Sequence, residues 1–248
     1  MHLTTDAIVL RAFKTQEDRI LTLLTKESGV ITAYANGANK LRSKLASSTE
    51  LLCFSEFVLF ENRDRHVVDK SDVHRVFFGI RSDVDKLALA SYFAQLTAEL
   101  APHGEEAGEY LRLLLNTLHY LENGDRDRRL LKSLYELRLL TMAGYMPSLV
   151  GCRACGRFEV DPMYFFAAEG ELCCGDCAGG QAPPGAHPLP VGVLTAMRHI
   201  TYAPFDKLFS FRLSSEGLDL IQKIAEQYLL YQTEKSFTAL EFYRELRD

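Results

Sequence analysis

Four cysteines in two pairs constrain the fold of this chain more than any other feature: Cys152, Cys155, Cys174 and Cys177. They follow the pattern C-x2-C-x18-C-x2-C, a spacing that is typical of a four-cysteine zinc site. Two cysteines three positions apart on a tight turn can direct both sulfurs at one ion, and a second such turn completes the tetrahedron that Zn²⁺ prefers. Four protein ligands leave no position for water or substrate. We therefore predict a structural Zn²⁺, with Gly156 and Gly175 supplying left-handed backbone beside the thiolates.

Other uses of these thiols are compatible with the residues alone. Two disulfides would require an oxidising compartment, and a redox C-x-x-C would explain one pair but not two. A lapsed site that has lost its metal would keep the same pattern. Cys173 precedes Cys174 and could replace it as the third ligand, but we prefer Cys174 because it keeps two residues between the paired ligands. Cys53 lies in an apolar stretch and is predicted to be a core residue.

The length and composition are those of an ordinary globular protein with room for two domains: 248 residues, 47% hydrophobic and 25% charged. A chain of this size can fold without the metal, so zinc is expected to order a local substructure. Near the N-terminus only four consecutive residues are apolar (7–10), too few for a signal-peptide core, and no stretch is long enough for a membrane span. We expect a cytoplasmic protein without membrane contact.

The net charge of −5 argues against a generally basic nucleic-acid-binding protein, but the charge is unevenly distributed. Residues 1–79 contain 11 Lys and Arg and 10 Asp and Glu, whereas residues 80–248 contain 17 and 23. The N-terminal part is therefore the better candidate for contact with nucleic acid.

The first 80 residues predict a small β-barrel. Five short segments rich in Ile, Val, Leu, Thr and Tyr are separated by polar or glycine-containing turns: 6–13, 19–25, 30–36, 51–60 and 67–78. Five strands in this length favour an OB-fold-like barrel, although an SH3-like barrel would give a similar pattern. Phe54, Phe57 and Phe60 interrupt the alternation of the fourth strand and predict a β-bulge there.

The rest of the chain predicts a helical domain. Two or three helices are expected after residue 190. Over the whole chain, apolar residues recur at helical spacing most clearly in four segments: 82–100, 105–121, 127–142 and 215–231. A run rich in glycine and proline over 179–190 predicts an irregular connector. The predicted fold class is α+β, with an OB-fold-like domain at 1–80 and a helical domain at 81–248 that contains the zinc module at about 150–180.

Few residues suit catalysis. The sequence contains no P-loop, G-x-G-x-x-G, H-E-x-x-H or G-x-S-x-G motif, and its seven histidines are scattered. We expect a protein that is not an enzyme.

A basic loop is the best candidate for DNA contact. From Ser28 to Thr49 there is no acidic residue. Lys40, Arg42 and Lys44 are interspersed with glycine and serine residues that allow close approach to phosphates. A solvated mobile loop is the alternative interpretation. Five further cations near other turns would add to the basic surface: Arg11, Lys14 and Arg19 near the first turn, and Arg63 with Arg65 near the last. Tyr34 could stack on a base or lie in the core.

A second basic cluster surrounds the start of the third predicted long helix. Arg128 and Arg129 are further candidate DNA contacts in this cluster. Asp125 and Asp127 reduce its positive charge, so an ordinary amphipathic outer face is the simpler interpretation. The members of the cluster are Arg126, Arg128, Arg129, Lys132 and Arg138.

The run from Leu137 through Gly144-Tyr145-Met-Pro147 to Cys152-Arg-Ala-Cys155-Gly156 is a specific signature. In this run, and over nearly its whole length, the chain resembles the RecO family of DNA repair proteins. The opening strand, the Thr22–Thr25 segment followed by Gly29, and the small and basic stretch at 37–44 are also similar.

The resemblance implies a recombination mediator. Members of this family bind single- and double-stranded DNA through an OB-fold and anneal complementary strands. With RecR they help to load RecA onto DNA covered by single-strand-binding protein (SSB), whose C-terminal tail contacts the helical domain. It further implies a bacterial, nucleoid-associated protein. Two other hypotheses remain from the residues: a zinc-stabilised interaction adaptor that does not touch DNA, and a thiol-redox enzyme.

Overall fold

A computed structural model describes residues 2–62 and 65–247, and its N-terminal part is a closed five-stranded β-barrel. The strands are β1 (His2–Lys14), β2 (Arg19–Thr25), β3 (Gly29–Ala35), β4 (Phe54–Asn62) and β5 (Arg65–Arg75). Their order around the barrel is β1-β2-β3-β5-β4, with β4 pairing back onto β1 and β3 running parallel to β5. The predicted α+β class and the five-stranded barrel are confirmed.

The barrel core consists mainly of aliphatic side chains, with Phe57 as its one aromatic ring among the buried residues of the cluster. Where β4 pairs with β5 the register shifts between Val58 and Leu59, but the extra residue, Asp69, lies in β5, so the prediction of a bulge in β4 is wrong. A similar shift lies in β1 between Val9 and Arg11. Cys53 is fully buried, as predicted, in a cluster with residues from all five strands, among them Val9, Leu21, Ala33, Phe57 and Val68.

Four helices accompany the barrel: α1 (Phe78–Arg81), α2 (Val84–Leu100), α3 (Gly108–Asn123) and, at the C-terminal end, α7 (Thr238–Glu245). Asp83 caps α2, because its side chain accepts a hydrogen bond from the backbone N–H of Lys86. The fifth strand ends at Arg75 rather than at the predicted residue 78, since the chain then turns into α1.

The helix α3 begins three residues later than predicted because the preceding segment is attached to the β2–β3 turn. The backbone N–H of Val30 donates to Pro102, that of Gly104 to Ser28, and that of Ala107 to Lys26. Gly29 has φ +62°, and a Cβ at this position would lie 2.0 Å from the Pro102 carbonyl oxygen. No other residue fits this turn without moving the segment.

The remaining elements form a second group: α4 (Arg128–Met142), β6 (Ser148–Cys152), β7 (Met163–Phe166), β8 (Glu171–Cys174), β9 (Ala186–Leu189), α5 (Val191–Tyr202) and α6 (Ser215–Thr233). The helices α4 and α6 lie close to their predicted positions. The four short strands form a sheet in the order β6-β8-β7-β9, and no period in the sequence indicates it. The strand β9 corrects the prediction that 179–190 is entirely irregular.

The described residues divide into two compact units. One contains the barrel and continues to Asp125, with the segment from Phe237 onwards; the other runs from Arg126 to Ser236. The helices α2 and α7 pack together in the first unit, where Gln95 accepts a hydrogen bond from the backbone N–H of Ala239. Among the helices of these residues, none is both long and apolar enough to cross a membrane.

Candidate metal centre and nucleic-acid interface

Two neighbouring parallel strands bring the cysteine pairs together. Cys152 is the last residue of β6 and Cys174 is the last residue of β8, and these strands pair with each other. A tight turn follows each strand and carries the second cysteine of the pair. Because the ends of paired parallel strands meet at one edge of the sheet, the two turns face the same point.

The four sulfur atoms have the separations expected of a tetrahedral thiolate site. All lie within 4.8 Å of one another, and the Sγ atoms of Cys155 and Cys174 are 3.7 Å apart. A Zn–S distance of about 2.3 Å in a tetrahedron corresponds to about 3.8 Å between sulfurs. Cys152 and Cys174 are buried, whereas Cys155 and Cys177 are exposed. The cluster could therefore hold a metal ion at the margin of the sheet.

The structure brings Cys174 rather than Cys173 into the cluster. Successive side chains of a strand point to opposite faces, so the two adjacent cysteines cannot both face the other thiols. The Cys173 thiol instead donates to the backbone oxygen of Cys174, at 3.6 Å. Burial raises the pKa of Cys173, which keeps it protonated and apolar in character.

Only one of the two glycines takes the predicted conformation. Gly156 has φ +73°, as expected for the turn after the first pair. The prediction for Gly175 is wrong, because its φ lies outside the left-handed region. A Cβ at Gly175 would lie 2.8 Å from Cγ of Pro162, so close approach of the neighbouring chain explains the glycine here.

Local dipoles and one cation favour thiolates in the cluster. Burial opposes ionisation of Cys152, but backbone N–H donors, including that of Cys174 at 3.3 Å, outweigh it and lower the pKa of Cys152 to about 5. The other thiols raise the pKa of Cys177 to about 12, as expected where like charges would crowd. The Arg157 guanidinium donates to the sulfurs of Cys155 (3.3 Å) and Cys174 (3.6 Å). Full ionisation of all four thiols requires a further cation.

The basic loop between β3 and β4 lies against the loop between β1 and β2. The side-chain amide of Asn39 donates to the carbonyl oxygens of Thr15 and Asp18, at 2.8 and 3.0 Å, and its backbone N–H donates to Glu17. The backbone N–H of Gly37 donates to the Asp18 carboxylate at 2.7 Å. These bonds place the predicted basic loop beside loop 1–2, which is part of the usual ligand site of OB-folds.

Arg19 anchors this loop from inside. Its guanidinium donates to the Asn39 side chain (2.7 Å), the Ala46 carbonyl oxygen (2.8 Å) and the Thr49 hydroxyl (2.8 Å), and it forms an ion pair with Glu50 at 2.7 Å. The side chain is 6% exposed. Arg19 thus supports the loop, and its guanidinium is committed to protein acceptors rather than directed at solvent.

The other predicted contacts of the barrel are at the surface. Arg42 and Lys44 are exposed, and neither has an ion-pair partner within residues 2–62 and 65–247. Lys40 is also exposed, forms an ion pair with Glu17 at 3.0 Å, and has a raised pKa through this contact. Arg11 contacts Glu99 at 3.0 Å and Lys14 contacts Glu50 at 3.5 Å, both with about half of the side chain exposed. Arg63 lies outside the described residues.

Several cations of the second basic cluster are buried or paired with carboxylates of the same unit. Arg129 is held by the carboxylates of Asp127 and Asp219, each at 2.8 Å, and Arg128 is half-buried. Lys132 is not on an outer face, because it is fully buried between Glu136 and Glu226, with both contacts at 2.6 Å. The structure does not bring this cluster into the barrel unit.

Sequence reasoning missed two residues that organise these sites. Asn39 joins the two loops, and Arg157 bridges two sulfurs and the carboxylate of Asp176 at 2.8 Å. An Arg five residues after Cys152 is a usable signal, because a cation close to a thiolate cluster offsets its charge. An Asn among small residues offers no such signal.

Comparison with known proteins gives matches over nearly the whole chain. Two family models match it, "Recombination protein O N terminal" over residues 1–77 and "Recombination protein O C terminal" over residues 81–241. A protein named DNA repair protein RecO from Acetivibrio thermocellus is 34% identical over 246 residues, which cover 99% of this chain and 97% of the relative. Proteins of the same name from Symbiobacterium thermophilum and Alkaliphilus metalliredigens are 31% and 26% identical. They cover 98% and 99% of this chain, and 96% and 100% of the relatives.

The Arg19 network predicts that Arg19→Lys releases the basic loop without changing its charge. A single ammonium cannot reach the four acceptors of the guanidinium fork, and a hydrogen bond to a charged group is worth about 1.5 kcal/mol or more. We expect trypsin to cleave after Lys40, Arg42 and Lys44 at least about 10-fold faster than in the original protein, as measured by mass spectrometry. Arg11→Lys is the matched control and should leave the cleavage rate unchanged. Equal rates in Arg19→Lys and the original protein would contradict the anchoring role.

The sulfur geometry predicts different effects for the two adjacent cysteines. Metal analysis of Cys173→Ser should give the same metal content as the original protein, since the Cys173 thiol lies outside the cluster of four sulfurs. The same analysis of Cys174→Ser should give a much lower content, because a serine hydroxyl is a poor replacement for a thiolate. Loss of metal from Cys173→Ser with retention in Cys174→Ser would reverse the ligand assignment.

Proposed function

The chain belongs to the recombination protein O (RecO) family, and we propose that it is a recombination mediator that binds single- and double-stranded DNA through its barrel. Its curated relatives are named DNA repair proteins, which supports a role in DNA repair and recombination. In this role the protein anneals complementary strands and, with RecR, helps to load RecA onto DNA covered by SSB. The C-terminal tail of SSB binds the helical part of the chain.

One observation carries the DNA-binding part of the proposal. The segment with Lys40, Arg42 and Lys44 is held by Asn39 and Arg19 against loop 1–2 of an OB-type barrel. This arrangement presents exposed cations at an edge where barrels of this type bind nucleic acid. Phosphate contacts by Lys and Arg release condensed counterions, so they favour association without reading sequence.

Arg11 and Lys14 extend the same surface along the end of β1. Their partners are carboxylates of exposed or half-exposed ion pairs, which are worth at most about 1 kcal/mol and can be exchanged for a phosphate. Arg128 and Arg129, on the other unit, are secondary contacts. For Arg129, binding a phosphate would require release from Asp127 or Asp219.

We assign the four-cysteine cluster to a structural Zn²⁺. Cys152, Cys155, Cys174 and Cys177 fit the ion by number, by sulfur separation and by the soft thiolate chemistry that Zn²⁺ accepts. All four tetrahedral positions are taken by protein, so the ion would order the ends of β6 and β8 and the turns that follow. Arg157 would partly offset the negative charge of the loaded cluster.

The family also suggests where the protein acts. Relatives are bacterial proteins named for DNA repair, so we place this protein in the bacterial cytoplasm, associated with the nucleoid. We assign no chemical turnover to the protein.

The DNA-binding proposal predicts that the triple variant Lys40→Ala, Arg42→Ala, Lys44→Ala binds a single-stranded oligonucleotide more weakly and with less salt dependence. Loss of three phosphate contacts should lower the slope of log K against log salt by about 2. Fluorescence anisotropy at four salt concentrations measures both quantities.

The control triple removes the same charge from exposed positions of the other unit: Lys207→Ala, Arg212→Ala and Lys223→Ala. It should retain both the affinity and the slope of the original protein. If the barrel variant behaved like this control, the basic loop would not be the DNA contact. If the original protein bound no DNA at low salt but retained its protein partners, the interaction adaptor would be the better function.

A further inference from the structure

We propose that Phe13 and Tyr34 form a stacking platform for unpaired nucleobases, which makes the barrel prefer single-stranded over duplex DNA. This inference rests on the proposed function, because it adds base contacts to a barrel that is taken to bind DNA. The observation that supports this inference is that a partly exposed aromatic row lies next to the anchored basic loop.

The pairing register places the row across three strands. Phe13 on β1 is the partner of Ile20 on β2, and Ile20 is the partner of Tyr34 on β3. Residues directly opposite one another on neighbouring strands share a face of the sheet. Strands lie about 4.8 Å apart, so the two aromatic residues stand about 10 Å apart with an isoleucine between them.

The neighbouring row shows which face this is. One residue along, Leu21 pairs with Ala12 and Ala33, and both Leu21 and Ala33 are fully buried in the barrel core. Because side chains alternate along a strand, Phe13, Ile20 and Tyr34 point outward. Phe13 is 68% exposed, and Ile20 and Tyr34 are half-buried.

A single exposed phenylalanine is common and needs no explanation. Here, however, exposed Phe13 is continuous with half-buried Ile20 and Tyr34, and the row is accompanied by cations. The guanidinium of Arg65 lies 5.5 Å from the centre of the Tyr34 ring. The residues that follow β1, 15–18, are those to which the basic loop is hydrogen-bonded, so the cations of that loop lie near the end of the row.

This combination matches an unpaired strand better than a protein partner. Its bases can lie on the aromatic rings while the phosphates meet Arg65 and the basic loop. Guanidinium planes also stack on bases, so Arg65 can serve either contact. In a duplex the bases are already stacked on one another, and only the phosphates are available. The platform therefore contributes to binding of single strands alone.

The first test compares the double variant Phe13→Ala, Tyr34→Ala with the original protein on a dT20 oligonucleotide and on a 20-base-pair duplex. We expect affinity for dT20 to fall on the order of 10-fold or more, with an unchanged salt slope, because stacking releases no counterions. Affinity for the duplex should stay within about 2-fold. The control double, Tyr231→Ala with Phe242→Ala, removes two aromatic side chains that are 57% and 50% exposed elsewhere, and should change neither affinity.

A second variant keeps the inference testable if the double variant folds poorly. The chain contains no tryptophan, so Phe13→Trp introduces a unique fluorophore at the platform. Its emission should be quenched by dT20 and unaffected by duplex, while affinity stays at least as high as in the original protein. Phe242→Trp is the matched control and should show no quenching by either DNA.

The outcomes separate this inference from the proposed function. If the original protein bound neither DNA, the proposed function would fail and the platform with it. If it bound DNA but Phe13→Trp were not quenched, or the double variant bound dT20 as the original protein does, the barrel would bind only phosphates and the platform would be wrong. Equal weakening on dT20 and duplex would also overturn the platform, because it would show a general effect on the barrel.

Discussion

The buried guanidinium of Arg19 is the interaction on which the proposed DNA surface depends. The loop between β3 and β4 contains no regular structure and carries three exposed cations, so by itself it would gain little from adopting one conformation. Arg19 provides four acceptors with a common partner, and the side chain of Asn39 connects the same loop to loop 1–2. A buried cation without its partners would be strongly unfavourable, so the network forms as a whole or not at all. Order in the loop is thereby coupled to closure of the barrel.

A comparable constraint operates at the cysteine cluster, where the sheet rather than a side chain brings distant segments together. Cys152 and Cys174 occupy the ends of paired parallel strands, and each turn then needs only three residues to present a second sulfur. The backbone donors that lower the pKa of Cys152 belong to these same turns. Strand pairing therefore creates a site suited to a cation before any ion is bound, and the crowding of the four thiols is the reason that a cation would stabilise it.

The sequence was sufficient for features that depend on local pattern. Five strands, the long helices and the four clustered cysteines all follow from periodicity or spacing, and the structure agrees. Features that depend on long-range contact were not predictable. The sheet formed by β6–β9 was not predicted, because its strands have only four or five residues. This length is too short for the two-residue alternation of a strand to be recognised in the sequence. Arg19 was predicted to be a surface cation, because nothing in the neighbouring sequence indicates that its guanidinium will donate to Ala46 and Thr49. Left-handed backbone was predicted at Gly175, whereas the glycine is required by the close approach of Pro162, a residue that is distant in the sequence.

The charge of the protein sets a condition on how it could hold DNA. Glu17 and Asp18 lie beside the basic loop, and the net charge of −5 opposes the approach of a polyanion. A few phosphate contacts in this setting are weakened steeply by physiological salt. An acidic protein that binds nucleic acid under those conditions needs a contribution that salt does not remove, and aromatic contact with bases is of this kind. Glu17 and Asp18 and the aromatic row then favour the same ligand. The two carboxylates weaken the binding of a duplex, which offers only phosphates, and the aromatic row strengthens the binding of a strand whose bases are free.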